Sequence, residues 1–252
     1  AANPEVRAQL EAQAQAIGAD RLATGHYGRI APGPDGAPAL WRAIDDDKDQ
    51  SYFLFSMPPH ELPHVRFPLG GMTKDDVRAH ALRLGLPNAV KPESQEICFV
   101  PDGDYAGFVS AQALKRGRPM PGPGAIVDQA GTVVGKHDGV HRFTIGQHRG
   151  LGNMTTKDKV YVTSIDPARS EIRVGPKEAA ERRELEIRDL RWLSAPRASM
   201  SAAVQVRHRG TPIAATVTIE GDRARVLLDE PTVAARGQAA VIYDGDRVLA
   251  GG

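Results

Sequence analysis

The chain has 252 residues, enough to bury roughly 70–75% of its unfolded surface and to hold two or three modules. Its 25% charged and 41% hydrophobic residues lie near the average for folded domains, which excludes a disordered tail, and no apolar run approaches the length of a bilayer span. A net charge of +1 excludes a polycation that grips nucleic acid indiscriminately, so any such contact must come from local patches.

The first segment alternates helix and strand. Val6, Leu10, Ala14 and Ile17 fall at helical spacing with Gly18 behind them, which predicts an amphipathic helix over 5–17. A short strand, Leu22-Ala23-Thr24, runs into Gly25-His26-Tyr27. Helix leading to strand, with glycine at the strand's carboxyl end, is the grammar of a parallel α/β sheet, whose ligands sit just beyond that end. A second helix is predicted over Lys74–Leu84, capped by Thr73 with Asp76 three residues on and stopped by Gly85 before Pro87. After residue 100 the pattern changes: Tyr105, Phe108, Val109 and Ala113 mark one more helix, and Gly122-Pro123-Gly124 opens a run of hairpins. Residues 125–127 and 132–134 flank one turn, and 160–165 pairs with 171–174 across Asp166-Pro167. From about residue 184 every apolar run is short and strand-like: 203–206, 213–219, 224–228 and 239–243, as in a small sandwich or barrel. The expected organisation is an α/β piece over 1–100, a small central module over 101–175 and a terminal β module over 176–252.

Four stretches carry candidate chemistry. Glycine at Gly25 lets a phosphate or ribose approach backbone N–H groups, although a glycine there also serves simply as a turn. In Asp45-Asp46-Asp47-Lys48-Asp49-Gln50 the aspartates suit Mg²⁺ or form a solvated loop, while Lys48 and Gln50 offer a phosphate donor and an amide for a base edge or sugar hydroxyl. Ser94-Gln95-Glu96-Ile97-Cys98-Phe99 holds the single cysteine. Cys98 can form no internal disulfide and no Cys-rich zinc site; with no signal peptide at the start of the sequence, a cytoplasmic protein is predicted. The thiol reads either as a buried small hydrophobe before Phe99 and Val100 or as an accessible group at the end of the polar run 91–96. Finally, residues 136–159 carry five Lys/Arg against two Asp, and residues 181–209 carry seven Arg against four acids. Two local excesses of this kind fit phosphate contacts with a shaped nucleic acid and also occur on ordinary surfaces.

Read in order, ATGHY at 23–27, KDQSYFL at 48–54, FPLGGMTKDDVR at 67–78, SQEICF at 94–99, HDGVHRFTIGQHRGLG at 137–152 and GQAAVIYDGD at 237–246 resemble the bacterial-type tRNA-specific 2-thiouridylases. These enzymes replace the 2-oxygen of the wobble uridine with sulfur. The resemblance implies an α/β plus β fold: part of a Rossmann-like ATP-pyrophosphatase-type domain, a small central domain and a C-terminal β-barrel. It implies ATP as cofactor, with Mg²⁺ accompanying it and no metal ligand assigned. By the same resemblance Gly25 lies at the ATP site, and His26, Lys48, Asp49, Gln50, Arg207, His208 and Gln238 contact tRNA at its anticodon stem-loop. His208 stands where the family carries a tyrosine, and an imidazole can still stack or donate. Cys98 corresponds to the cysteine that carries the persulfide, loaded by a sulfur-relay protein or cysteine desulfurase; no membrane partner is implied. The family's SGGVDSS phosphate loop has no counterpart in this sequence. Asn3-Pro4-Glu5-Val6-Arg7-Ala8 looks like a relic of its NPD-x-x-C pattern, with Ala8 at the partner cysteine. The expectation is therefore a fragment or shortened form, either of the thiolating enzyme or of a non-catalytic tRNA-binding version.

Overall fold

The computed structural model describes residues 13–14, 16–91, 104–156 and 158–252. It is a mixed α/β structure dominated by sheet, and it resolves into two compact units. One comprises the described residues up to Lys91 together with Arg183–Glu230 and Gln238–Gly252; the other comprises the described residues from 104 to Arg182 with Pro231–Gly237. The first and last stretches of the chain thus share one unit.

In that unit β1 (Leu22–Ala23) pairs parallel with β4 (Val65–Arg66), the parallel arrangement that the sequence grammar called for. The N–H of Thr24 continues the ladder to the Arg66 carbonyl at 3.0 Å. The helix expected over 5–17 falls mostly outside the described residues; Gln13, Ala14 and Ala16 are helical. The second predicted helix runs over Lys74–Arg83, and its cap is reciprocal: Thr73 Oγ1 accepts from the Asp76 N–H, and the Asp76 carboxylate accepts from the Thr73 N–H. These hydrogen bonds to Thr73 hold the Asp76 carboxyl below the usual carboxylate range. Asp45 Oδ2 accepts from the Lys74 N–H at 2.8 Å, so a second of the donors that every helix leaves unpaired at its start is also satisfied.

A hairpin not foreseen from the sequence, β2 (Arg29–Pro32) with β3 (Pro38–Trp41), leaves the parallel pair and joins the terminal strands. The largest sheet runs in the order β2, β3, β15 (Arg247–Gly251), β14 (Val241–Asp244), β11 (Ser199–Gln205), β12 (Ile213–Glu220), β13 (Arg223–Val233) and β9 (Glu181–Ile187). The short β10 (Arg191–Trp192) pairs with β15. Alternation explains the middle strands: β12 and β13 bury every second residue, Ala215 and Val217 in one, Ala224, Val226 and Leu228 in the other. The hairpin is harder to read because Pro32 and Pro38 flank its turn, which Gly33 to Ala37 form. The core packs Leu40, Tyr52, Leu62 and Phe67 from the first stretch against Val241, Tyr243 and Val248 from the last.

The other unit is a four-stranded sheet in the order β6 (Val133–His137), β5 (Gly124–Val127), β8 (Glu171–Gly175), β7 (Tyr161–Asp166). Both predicted hairpins are present, and β5 and β8 pair parallel between them. The helix Tyr105–Lys115, capped by the Asp104 carboxylate on the Gly107 N–H, belongs to the same unit. Ile126, Val162, Ile172 and Val174 fill its core.

One glycine is needed for packing beside the parallel pair. A Cβ at Gly70 would fall on the Gly28 carbonyl, whereas one at Gly71 would meet nothing within 4 Å. The carbonyl of Gly70 also receives the Ile44 N–H at 3.1 Å, so the backbone cannot simply back away. Gly70→Ala should lower stability by about 2 kcal/mol, the usual scale of overpacking, while Gly71→Ala should stay within about 0.5 kcal/mol of the parent. Denaturant unfolding of the two variants side by side checks this, and equal midpoints would refute it.

Candidate nucleic-acid interface

The acidic loop after β3 folds inward around Asp49. Its side chain is only 4% exposed, and a buried carboxylate must be compensated. Oδ1 accepts from the N–H groups of Ala43 at 2.9 Å and Ser51 at 3.2 Å. Oδ2 accepts from Ser51 Oγ at 2.7 Å and lies 3.6 Å from Arg42 Nε. Because the single Ser51 hydroxyl proton goes to the carboxylate, the contact at 3.2 Å between Ser51 Oγ and Tyr243 Oη must be donated by the tyrosine. Burial pushes the Tyr243 phenol well above its ordinary value, which keeps that proton in place. Arg42 lies over the Tyr243 ring at 5.7 Å. Asp49 therefore ties the loop to β14.

Gln50 ties the same loop to the end of β1. Its side-chain Oε1 accepts from the Tyr27 N–H at 2.9 Å, and its own N–H donates to the Tyr27 carbonyl at 2.8 Å. Lys48, half-buried, sits between the Asp45 turn and Asp49, its N–H donating to the Asp45 carbonyl at 3.1 Å. His26 is exposed; its Nδ1 contacts Thr24 Oγ1 at 2.8 Å and its ring meets the edge of Phe67 at 6.0 Å. Desolvation holds its pKa below the ordinary histidine value. Gly25 is exposed at the carboxyl end of β1, and a Cβ there would touch only Leu69, at an ordinary 3.7 Å. Packing within the chain does not require the glycine.

The short helix Ser51–Leu54 then carries the loop to the terminal strands. Tyr52 is buried and donates its hydroxyl to the Ala239 carbonyl at 2.7 Å, next to exposed Gln238. Its ring lies 6.2 Å from that of His208, and the Phe53 ring lies 4.5 Å from it. Arg207, His208 and Arg209 are all exposed on the turn after β11. The turn is held by the Arg207 carbonyl, which accepts from Gln205 Nε2 and the Gly210 N–H, both at 3.0 Å. The His208 pKa is lowered, first by burial and then by the Arg209 charge, with Asp49 opposing.

Lys48, Asp49, Gln50, Arg207, His208 and Gln238, scattered over the sequence, are thus linked around Tyr52 within one compact unit, with His26 and Gly25 joined to them through Tyr27. Reasoning from sequence gave no role to Arg42, Ser51, Tyr52, Phe53 or Tyr243. The available signals were the aromatic pair Tyr52-Phe53 just beyond Gln50 and a tyrosine and an aspartate ending an apolar strand. Among the described residues no group of three or more His, Cys, Asp or Glu is placed to hold a metal ion: Asp45 caps a helix, and Asp46 pairs with Arg42 at 3.3 Å. Cys98 and the Asn3–Ala8 stretch lie outside the described residues. Among the described residues no helix is long and apolar enough to cross a membrane.

The other unit holds the basic stretch 136–159. Tyr161 lies 5.2 Å from the His148 ring and 5.5 Å beneath Lys159 Nζ. His137, buried, accepts at Nδ1 from the Gly139 N–H at 3.0 Å and contacts the Ser170 carbonyl through Nε2 at 3.1 Å, which assigns the proton to Nε2.

Three family models match the chain in succession: a tRNA methyl transferase HUP domain over 2–102, a tRNA methyl transferase PRC-barrel domain over 112–176 and an aminomethyltransferase beta-barrel domain over 182–252. Among curated proteins, the tRNA-specific 2-thiouridylase MnmA of Geobacter metallireducens is 48% identical over 243 residues, covering 95% of this chain and 65% of its own length. The proteins of the same name from Syntrophotalea carbinolica and Chloroflexus aggregans are each 44% identical, covering 97% and 98% of this chain and 68% of their own lengths. The chain belongs to the tRNA-specific 2-thiouridylase family. It spans about two thirds of the length of these relatives. The α/β plus β fold, with part of a HUP-type domain, a central barrel-like domain and a terminal β-barrel domain, is the one the family motifs implied.

In this family member Asp49 holds the loop after β3 in place. Asp49→Ala, which takes the acceptor away from the Ala43 and Ser51 N–H groups and the Ser51 hydroxyl, should cost about 3 kcal/mol of stability. Asp49→Asn, which keeps one acceptor oxygen, should cost less. Urea titration of both variants gives the comparison; an Asp49→Ala protein as stable as its parent would contradict the inward role.

Proposed function

We propose that this chain serves ATP-dependent 2-thiolation of the wobble uridine of tRNA, holding the anticodon stem-loop on the face around Tyr52 and carrying the sulfur on Cys98. The observation that supports the reading most is the anchoring of Tyr52, which joins the segment that follows Lys48 and Gln50 to the His208 ring and to the Ala239 backbone beside Gln238, all in one unit. Cationic and amide side chains gathered beside aromatic rings suit phosphates and unstacked bases. His26 completes this face next to Gly25, whose uncovered backbone at the end of a parallel strand suits close approach by ATP.

The chemistry follows from a poor leaving group. The uridine 2-oxygen takes the adenylyl group of ATP, pyrophosphate departs, and AMP becomes the group to be displaced. Mg²⁺ enters with the nucleotide. The terminal sulfur of a Cys98 persulfide attacks C2, and AMP leaves with the electrons of the C–O bond. A second thiol then attacks Sγ of Cys98; the S–S bond breaks toward the tRNA sulfur, and a new disulfide forms. The target base has to leave its stack to be reached. This sequence holds one cysteine, so the second thiol and the desulfurase or sulfur-relay protein that loads Cys98 come from other sources. The setting is the cytoplasm, where a free thiol persists.

Cys98→Ser introduced at the chromosomal locus should abolish wobble 2-thiouridine, measured by nucleoside mass spectrometry of bulk tRNA. Unchanged 2-thiouridine would remove Cys98 from the reaction. A second reading, tRNA binding without turnover by the 252 residues alone, is favoured by that single thiol, since the reaction consumes two. With ATP, Mg²⁺, tRNA and a persulfide donor, the isolated chain should bind tRNA in a salt-sensitive way and form no 2-thiouridine; turnover would refute this second reading. In the same binding assay Arg207→Ala should reduce the slope of log affinity against log salt by about 1, and an unaltered slope would take Arg207 off the phosphates.

A further inference from the structure

Phe53 is out of place for a core residue. It is 40% exposed, although the neighbouring Ser51, Tyr52 and Leu54 of the same short helix are all buried. Its ring stands edge-on to Tyr52, with centroids 5.3 Å apart at 82°, and lies 4.5 Å from the His208 ring at 41°. Both supports are fixed: Tyr52 through its hydroxyl on the Ala239 carbonyl, and His208 through the hydrogen-bonded turn on which it sits. The ring is therefore presented to solvent by a rigid mount.

The surroundings of Phe53 narrow the partner. Arg207 and Arg209 flank His208 on the exposed turn. The nearest acid in sequence, Asp49, is turned inward and fully engaged. An apolar partner surface would leave these guanidinium groups uncompensated. A polyanion with flat apolar faces satisfies both the cations and the ring, and unpaired nucleic-acid bases are such faces. The lowered His208 pKa favours a neutral imidazole at neutral pH, which stacks without the desolvation cost of a cation.

We propose that Phe53 and His208 together form a stacking ledge for one unpaired nucleobase of the bound RNA. This extends the tRNA-binding reading and rests on it. Phe53 supplies the stacking face, Tyr52 and His208 set its orientation, and Arg207 and Arg209 neutralise the phosphates on either side of the stacked nucleotide.

The test uses the full chain with a tRNA transcript and, separately, a fully paired RNA duplex of the same length. Phe53→Leu should bind the transcript about tenfold more weakly, the usual scale for losing one base–aromatic stack, with an unchanged salt slope and unchanged binding to the duplex. Phe53→Trp should restore the affinity, and its indole fluorescence should be quenched by the transcript and not by the duplex. Circular-dichroism melting of both variants confirms that they fold. If the parent binds the transcript and Phe53→Leu binds it equally well, the ledge is wrong and the tRNA reading stands. Equal weakening toward transcript and duplex would also overturn the ledge, as would an unquenched Phe53→Trp. If the parent does not bind the transcript at all, the tRNA reading fails and takes the ledge with it.

Discussion

A carboxylate taken out of water must find donors, and the way Asp49 finds them organises the rest of the interface. Its partners come from Ala43, Ser51 and Arg42 nearby and, through the Ser51 hydroxyl, from Tyr243, 192 positions further along the chain. The proton order is forced: Tyr243 donates to Ser51, and Ser51 donates to Asp49. Removing any member leaves a buried polar group unpaired, which costs more than the hydrogen bond was worth when made. Such a network selects one loop conformation. With that loop fixed, Gln50 is placed to clasp Tyr27 on one side and Tyr52 to reach Ala239 on the other.

The same constraint explains why the ends of the chain are energetically inseparable. The hairpin β2–β3 contributes the strand beside β15, where Trp41 pairs with Arg247, and the Arg42 N–H donates to the Asp246 carbonyl at 2.8 Å. Leu40 and Tyr243 are both fully buried in one cluster. Neither stretch covers its apolar face without the other, so modules that are separate in sequence are joined in stability. Contacts of such long sequence separation must close large loops before they return any energy, which makes this unit the slower part to form.

What could be read from the sequence divides along the same line. The Lys74–Arg83 helix announced itself because its cap, Thr73 with Asp76, is local. The hairpins of the other unit were readable from alternation and from turn residues between short apolar runs. The family motifs carried the α/β plus β fold and pointed to the segments that the structure brings together around Tyr52. The β2–β3 hairpin was hidden by its prolines and its glycine-containing turn, whose composition suggests a loop, while its strands are defined by pairing with each other and, through Trp41, with β15. The inward role of Asp49 was hidden for a related reason: three aspartates before a lysine look solvated, and nothing local says that the fourth will meet a tyrosine from the far end. Phe53 lay inside a motif, yet its exposure is a property of the packed helix and not of its spacing.

The overall charge of +1 also acquires a physical reading. Three of the four acids of the 45–49 stretch have partners within the chain: Asp45 on the Lys74 N–H, Asp46 on Arg42, and Asp49 on the buried network. The two exposed histidines of the face, His26 and His208, both have lowered pKa values. A histidine whose folded value lies below its unfolded one favours the folded state fully above about 6.5, and that contribution is lost as pH falls toward the folded value. Phosphate binding pulls the other way, since it favours the protonated ring. At neutral pH the positive charge of the face therefore rests on its guanidinium and ammonium groups, and the imidazoles are left free to act as flat, uncharged rings. On the proposed reading, recognition by this face would divide between fixed cations, which set affinity through phosphates, and neutral rings, which discriminate unpaired bases from paired ones.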